Sequence, residues 1–140
     1  MKQMIQRMRE EKDGFTLAEL LIVVAIVGVL VAIAIPVFTA QLAKANAGTD
    51  EANVRSGWAQ AQTTLVSGTA DDNGTYILQQ NGQIKKADAS DDPYKTKGKS
   101  ADLGTTLPSF IPAWTDTGKS VQYVISDLGT SSAKVTISFV

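Results

Sequence analysis

An apolar run close to the N-terminus constrains this chain more than any other feature of its sequence. Every residue from Phe15 to Phe38 is apolar except four: Thr16, Glu19, Gly28 and Pro36. A helix needs about 20 mostly apolar residues to cross a bilayer core, so this run predicts one membrane span. Residues 1–14 carry Lys and Arg side chains. Basic residues tend to stay cytoplasmic, which predicts an N-terminus inside and a C-terminus outside.

A secretory signal and a plain membrane anchor are two ordinary explanations of the apolar run. A secretory signal would have a shorter apolar core followed by a small-residue cleavage site. The only candidate here is the weak "TAQLAKANA", which ends at Ala47, beyond the run. A plain single-span anchor is the second alternative. A charged residue within a span costs about 2.5–3.5 kcal/mol, so Glu19 is expected to have a partner. No Lys or Arg lies between Phe15 and Thr39 to supply one.

The junction "GFTLAE", from Gly14 to Glu19, follows a basic leader and opens the apolar run. In this combination it resembles the cleavage and methylation motif of type IV prepilins. The resemblance implies that a membrane peptidase cuts between Gly14 and Phe15 on the cytoplasmic side and then N-methylates Phe15. It covers about residues 1–66, and its one departure is Asp13, where the family often has a basic residue.

The same resemblance divides the chain into three parts: a leader (1–14), an apolar half-helix that spans the membrane and later forms the filament core (15–38), and a soluble pilin head (39–140). Many pilins carry a disulfide in the C-terminal region, but this chain has no cysteine. In that respect it is similar to pilins of Gram-positive bacteria.

Cleavage would create a cation close to Glu19, the new amine of Phe15. Residues four apart share a helix face, so Glu19 can meet the amine of its own chain or that of a neighbour. The resemblance favours the neighbour, which would set the axial register of a filament. A further alternative is that Glu19 reaches the headgroup interface. For Gly28 and Pro36 the alternatives are a simple kink and, by resemblance, a segment that loses helicity on assembly.

Beyond the apolar run, apolar residues at three- and four-residue steps predict an amphipathic helix that continues to about Val66. They are Ala40, Ala43, Ala47, Val54, Trp58, Ala61 and Leu65, and Trp58 is expected to anchor the core. The polar residues placed largely off this stripe are Asn46, Asp50, Asn53, Gln60 and Thr64.

Strand signals follow the helix. Asn81-Gly82 suits a type I′ turn between strands at Tyr76–Gln79 and Ile84–Lys86. Two further strands are predicted at Val121–Ser126 and Lys134–Val140, with an irregular segment over 87–119 and a short helix near Leu103–Phe110. The predicted fold is α+β, a long N-terminal helix packed on an antiparallel sheet of about four strands. The pattern alone permits other α+β folds, and the resemblance to prepilins implies the pilin fold.

The sequence indicates no catalytic, cofactor or metal site. It contains neither histidine nor cysteine, which excludes a Ser-His-Asp triad and cysteine-based metal or redox chemistry. Two polar clusters, Asp71-Asp72-Asn73 and Asp88 with Asp91 and Asp92, are interpreted as solvated turns in preference to calcium loops. Lys95, Lys97 and Lys99 are interpreted as a small solvated basic patch in preference to a nucleic-acid site.

The sequence therefore predicts a structural subunit of a type IV pilus, not an enzyme. The implied partners are further copies of the chain in a helical filament, a prepilin peptidase/methyltransferase, an assembly ATPase, a platform membrane protein and, before assembly, membrane lipid. The expected location is the cytoplasmic membrane first and a cell-surface filament afterwards. Alternatives are a pseudopilin of a type II-like secretion or DNA-uptake apparatus, and a membrane-anchored enzyme or binding module that keeps its leader.

Overall fold

The computed structural model describes residues 15–88 and 92–140, so the predicted leader (1–14) lies outside the described residues. One long helix, α1 (Leu17–Ser67), is followed by four strands: β1 (Gly74–Leu78), β2 (Ile84–Lys86), β3 (Val121–Ser126) and β4 (Lys134–Phe139). Two short 3-10 helices lie at Ala70–Asp72 and Ser100–Leu103. This arrangement confirms the predicted α+β class, with a long helix ahead of an antiparallel sheet.

The chain divides into two compact units between Thr39 and Ala40. In the first unit, every described residue is exposed. The apolar part of α1 is long and apolar enough to cross a membrane, judged by its length and composition. The helix passes through Gly28 and Pro36 without interruption.

In the second unit, the sheet has the strand order β2-β1-β3-β4, and each neighbouring pair is antiparallel. Tyr76 of β1 lies opposite Tyr123 of β3, and Tyr123 lies opposite Ile137 of β4. Along β3, buried residues alternate with more exposed ones, and the buried ones are Val121, Tyr123 and Ile125. This period of two is what a sheet with one covered face requires.

The hairpin between β1 and β2 forms where the sequence predicts it, but the predicted turn type is wrong. A type I′ turn needs positive φ at both central residues, and only Gly82 (φ 83°) has it there. The Gln79 amide donates to the Gln83 carbonyl at 2.8 Å, which leaves a three-residue loop. The Gln60 side chain from α1 clamps this loop, donating to the Gly82 carbonyl at 2.7 Å and accepting from the Ile84 amide at 2.9 Å.

The face of α1 that is buried in the second unit consists of Ala47, Asp50, Val54, Gly57 and Ala61. The predicted stripe is confirmed at Ala47, Val54 and Ala61. It is wrong at Asp50, which was placed off the stripe, and at Ala40, which is exposed. The spacing of residues along a helix decides which of them share a face. A polar residue with the spacing of the buried face is therefore buried too, provided that hydrogen-bond partners satisfy its polar atoms.

Trp58 packs against the core, as predicted, but it is only partly buried and stacks on Phe110 with ring centroids 4.7 Å apart. Trp114, at 2% exposure, is the more deeply buried tryptophan. Its indole donates to the Gly98 carbonyl at 2.9 Å, and its ring stacks on Phe139 of β4. Trp114 therefore holds the segment before β3 against the sheet.

At Gly57, α1 packs closely against Tyr123 of β3. The Tyr123 hydroxyl donates to the Val54 carbonyl at 2.7 Å, and a Cβ at Gly57 would overlap the phenol ring and its oxygen. Tyr123 is fully buried there, and burial raises its pKa. A side chain at position 57 would separate the helix from the sheet.

The predicted short helix at Leu103–Phe110 is wrong. The 3-10 helix Ser100–Leu103 ends at Gly104, which takes a left-handed conformation (φ 68°). Pro108 has no amide hydrogen to continue a helix, and its carbonyl instead accepts the Ile111 amide at 3.0 Å in a turn. Smaller differences concern strand bounds, since β1 begins at Gly74 and ends at Leu78, one residue before the predicted end.

Candidate processing and assembly site

The predicted processing site lies immediately before α1. Phe15 and Thr16 precede the first helical residue, Leu17, and the Phe15 side chain is 68% exposed. Gly14, the other residue of the predicted cleavage point, lies outside the described residues. The residue that would carry the new N-terminus is therefore accessible and non-helical.

Thr16 and Glu19 cap the start of α1 reciprocally. The Thr16 amide donates to Glu19 Oε2 at 3.2 Å, and the Glu19 amide donates to Thr16 Oγ1 at 3.3 Å. This is the capping-box arrangement, in which a threonine before the first turn and a glutamate three residues later satisfy two amides that the helix leaves unpaired. A carboxylate in the first turn also faces the positive end of the helix dipole.

The cap corrects one inference drawn from the sequence. The sequence alone points to a cation or to the headgroup interface for Glu19, yet its carboxylate accepts a hydrogen bond from the Thr16 amide at the start of α1. The Thr-x-x-Glu spacing was the signal that had been overlooked. Within residues 15–88 and 92–140, the two salt bridges join Arg55 to Glu51 and Lys85 to Asp88, so Glu19 has no cation there.

Gly28 and Pro36, the residues predicted to give the helix flexibility, both lie within continuous helix. A Cβ at Gly28 would meet no atom within 4 Å, so no packing contact requires a glycine at this position. Pro36 cannot donate to the Ala32 carbonyl. One turn later, the Thr39 hydroxyl donates to the Ile35 carbonyl at 2.7 Å.

Residues 12–35 match the family model described as the prokaryotic N-terminal methylation motif. The chain carries the type IV prepilin signature. The matched range contains the predicted cleavage point between Gly14 and Phe15, the predicted assembly residue Glu19 and the predicted flexibility residue Gly28. It ends one residue before Pro36. No curated protein and no solved structure matches the chain. The signature supports a prepilin of the pilin or pseudopilin kind, with membrane anchoring through the apolar helix before assembly.

The first polar cluster, Asp71-Asp72-Asn73, takes part in the turn that follows α1. Asp72 Oδ2 accepts the Thr69 amide at 2.7 Å, and Asn73 Oδ1 accepts the Leu128 amide at 3.0 Å. These contacts use oxygens that a calcium ion would need.

In the second cluster, Asp88 pairs with Lys85 at 2.9 Å, and Asp91 lies outside the described residues. In the part of the chain that the structure describes, no group of three His, Cys, Asp or Glu residues is placed to hold a metal ion.

Asp50 is the polar residue that sequence reasoning missed. Its carboxylate is fully buried and accepts four hydrogen bonds from three donors. Oδ1 accepts the Tyr94 hydroxyl at 2.7 Å and the Lys97 amide at 2.9 Å, while Oδ2 accepts the Lys97 amide at 3.0 Å and the Gly98 amide at 2.8 Å. Burial, and then the hydrogen bond to Asp50, raises the pKa of Tyr94 to about 12. Asp50 thus ties α1 to the extended segment that carries Lys95, Lys97 and Lys99.

Proposed function

We propose that the chain is a structural subunit of a type IV pilus. In this proposal it is made as a membrane-anchored prepilin, cut after Gly14, N-methylated on Phe15 and polymerised through α1. The head, 39–140, then coats the outside of a cell-surface filament. The partners are further copies of the chain, a prepilin peptidase/methyltransferase, an assembly ATPase and a platform membrane protein.

One observation carries the proposal: the prepilin signature coincides with a helix segment whose apolar side chains are all exposed. An apolar surface of this extent needs lipid or other helices around it. A membrane before assembly and a bundle of identical helices afterwards both provide an apolar environment. Transfer from one to the other keeps the apolar surface away from water.

Glu19 is assigned the assembly role because its charge lies at the start of the apolar half-helix, 15–38, which contains no other charged side chain. In the intact chain, the cap with Thr16 stabilises the carboxylate without a cation. Cleavage would then supply the Phe15 amine. A pair between Glu19 of one copy and the amine of the next would be strong in an apolar bundle, because the local dielectric constant is low. Such a pair sets the axial register of neighbouring helices.

The segment from Gly28 to Pro36 is assigned the role of a flexible stretch in the filament. It is helical here, but a proline removes one backbone hydrogen bond and a glycine lowers helix propensity by about 1 kcal/mol. Helicity should therefore be lost between these residues before it is lost elsewhere in the apolar half of α1.

Three variants separate capping from charge pairing, tested in cells that supply the processing and assembly machinery. Glu19→Gln keeps a hydrogen-bond acceptor for the Thr16 amide but removes the charge. Thr16→Ala removes the threonine side of the cap but keeps the charge. Glu19→Ala removes both contributions of the glutamate. All three should be cleaved, and only Thr16→Ala should form filaments at near-normal abundance.

The measurements are immunoblots of precursor and mature chain, and electron microscopy of sheared surface material with the subunit identified in the fibres. Normal filaments from Glu19→Gln would show that Glu19 acts only as a helix cap and would refute the pairing. Gly14 changed to a bulky residue is the processing control and should leave uncut precursor in the membrane. Processed chain without surface fibres, in cells that make other pili, would favour the pseudopilin alternative.

A further inference from the structure

The sheet ends in two edge strands that differ in their protection, β2 on one side and β4 on the other. An edge strand has unpaired backbone amides and carbonyls, and proteins usually protect it by making it short, charging it or covering it. All three protections are present at β2. It has three residues, two of them are lysines, and its first amide, that of Ile84, donates to Gln60 of α1 at 2.9 Å. The β2 edge is therefore closed to a further strand.

The other edge strand, β4, is much less protected. It spans six residues, Lys134–Phe139, contains neither proline nor glycine, and carries its one charged side chain at its first position. In the part of the chain that the structure describes, β4 pairs with β3 alone. A long and nearly uncharged edge strand is a template on which a strand of another molecule can pair.

The hydrogen bonds between β3 and β4 determine which backbone groups of β4 face outward. Ser120 and Val140 exchange two backbone hydrogen bonds, both of 2.9 Å. Because hydrogen-bonded and non-hydrogen-bonded pairs alternate along an antiparallel ladder, the β4 residues opposite Val121, Tyr123 and Ile125 direct their amides and carbonyls away from β3. These β4 residues are Phe139, Ile137 and Val135. Among the described residues, none forms a further hydrogen bond with these amides and carbonyls.

The outward groups are spaced so that a second copy of β4 satisfies all of them. In an antiparallel pair with Ile137 opposite Ile137 of the second copy, Val135 lies opposite Phe139 of that copy, and the reverse holds at the other end. Every outward amide then faces an outward carbonyl. A register shift of two residues would place Val135 or Phe139 opposite a residue outside β4, and a shift of one would turn the backbone groups away from each other. The pair is isologous, so it closes as a two-fold dimer.

The side chains favour the same register. On the exposed face of the sheet, Thr136 would lie opposite Ser138 of the second copy, and on the covered face Val135 would lie opposite Phe139. Hydroxyl pairs and aromatic–β-branched pairs are both favourable across strands. The two copies of Lys134 would lie at opposite ends of the paired strands, so no like charges face each other. Backbone, side chains and charge therefore all fit a second copy of the same strand.

We propose that β4 pairs with β4 of a second copy of this chain, antiparallel and with the two-fold axis at Ile137. The contact joins the two four-stranded sheets into one continuous sheet. It lies in the head and uses no residue of the apolar half-helix, 15–38. The inference does not depend on filament formation, so it can fail or hold independently of the pilus assignment.

The first test is disulfide cross-linking, which is clean because the chain has no cysteine. Full-length Thr136→Cys and Ser138→Cys chains, carrying different tags, are mixed in a neutral detergent and oxidised. The two positions form a non-hydrogen-bonded pair in the proposed dimer, with Cα atoms about 4.5 Å apart, which a disulfide can span. Mixed disulfides should exceed same-position disulfides at least about fivefold, because equal positions are two residues out of register. The control pair Thr75→Cys and Gln122→Cys, on the same face of β1 and β3, should form neither kind efficiently.

The second test replaces the hydroxyl pair by charges and measures dimerisation by sedimentation velocity, with detergent in excess over the chain. Thr136→Lys combined with Ser138→Lys places like charges directly opposite each other twice, so association should weaken at least about fivefold. The corresponding double glutamate variant should weaken it similarly. An equal mixture of the two variants should associate again, because each lysine then lies opposite a glutamate. Thr75→Lys combined with Gln122→Lys is the matched control and should associate like the wild-type chain. Circular dichroism checks that all variants are folded.

Four outcomes would overturn the proposal. Equal yields of mixed and same-position disulfides would show that the register is wrong. Wild-type association by the double lysine variant, or no recovery in the mixture, would show that β4 is not the contact. A monomeric wild-type chain that forms no disulfide would leave the β4 edge to a strand of a different protein. Sedimentation of the wild-type chain as a series of species larger than a dimer would indicate unspecific edge aggregation.

Discussion

Gly57→Ala offers the sharpest test of how α1 meets the sheet. In most helix interiors this change stabilises, because alanine exceeds glycine in helix propensity by about 1 kcal/mol. At position 57 the new Cβ would overlap the Tyr123 phenol, and even the ring carbon Cε2 would lie 2.7 Å away. Overpacking of this kind typically costs about 1–3 kcal/mol.

A shift of Tyr123 would add a further cost. Its hydroxyl donates to the Val54 carbonyl at 2.7 Å, and a neutral hydrogen bond contributes about 1 kcal/mol. Setting these losses against the gain in helix propensity gives a net destabilisation of about 1–3 kcal/mol for Gly57→Ala.

Gly48→Ala is the matched control in the same helix. A Cβ at Gly48 would meet nothing within 4 Å, so this variant should be stabilised by about 0.5–1 kcal/mol. Urea unfolding of the full-length chain in detergent, followed by the fluorescence of Trp58 and Trp114, measures both changes in the free energy of unfolding. If Gly57→Ala stabilised the chain as much as Gly48→Ala does, the described contact between α1 and β3 would be wrong.

Four other variants test the buried polar contacts and one surface pair by the same unfolding measurement. Asp50→Ala should destabilise the chain by about 3–5 kcal/mol, because three donors lose their acceptor. Asp50→Asn should destabilise it by less. A loss under about 1 kcal/mol for Asp50→Ala would contradict this expectation. The raised pKa of Tyr94 means that the phenol is neutral in both states below pH 10, and that the unfolded chain ionises first as pH rises from 10 to about 12. Stability should therefore fall across that window, and Tyr94→Phe should make the fall shallower; an unchanged slope would refute the assignment. Arg55→Ala removes a surface pair in which Arg55 is 54% and Glu51 18% exposed, and should change stability by less than about 0.5 kcal/mol. A larger effect would show that the pair contributes more than a solvated surface pair does.

The sequence predicted well where a pattern repeats along the chain. The long helix follows from an uninterrupted apolar run continued by a stripe at helical spacing, and α1 ends at Ser67, as expected. The strand pairs follow from alternation and from the Asn81-Gly82 turn signal, and β2 and β3 have the predicted bounds.

The features that the sequence did not predict depend on contacts between distant residues. From the sequence alone, Asp50 is expected to face solvent. In the structure it accepts hydrogen bonds from the amides of Lys97 and Gly98, which lie more than forty positions away in the chain. From the sequence alone, Gly57 is expected only to lower helix propensity. In the structure it leaves the space that the Tyr123 ring occupies. The short helix predicted near Leu103–Phe110 failed for a local reason, the left-handed Gly104 and the missing amide of Pro108.

At the candidate site, the sequence identified Phe15 and Glu19 but not the contact between Glu19 and Thr16. That cap was readable in principle, because a threonine followed three residues later by a glutamate is a common helix start.

The most direct measurement of the central claim is mass spectrometry of the mature chain, recovered from sheared surface fibres and from membranes. The account predicts a polypeptide that begins at Phe15 and carries one methyl group on its amine. Fibres or membranes that contain only the chain with residues 1–14 still attached, in cells that process other prepilins, would contradict it.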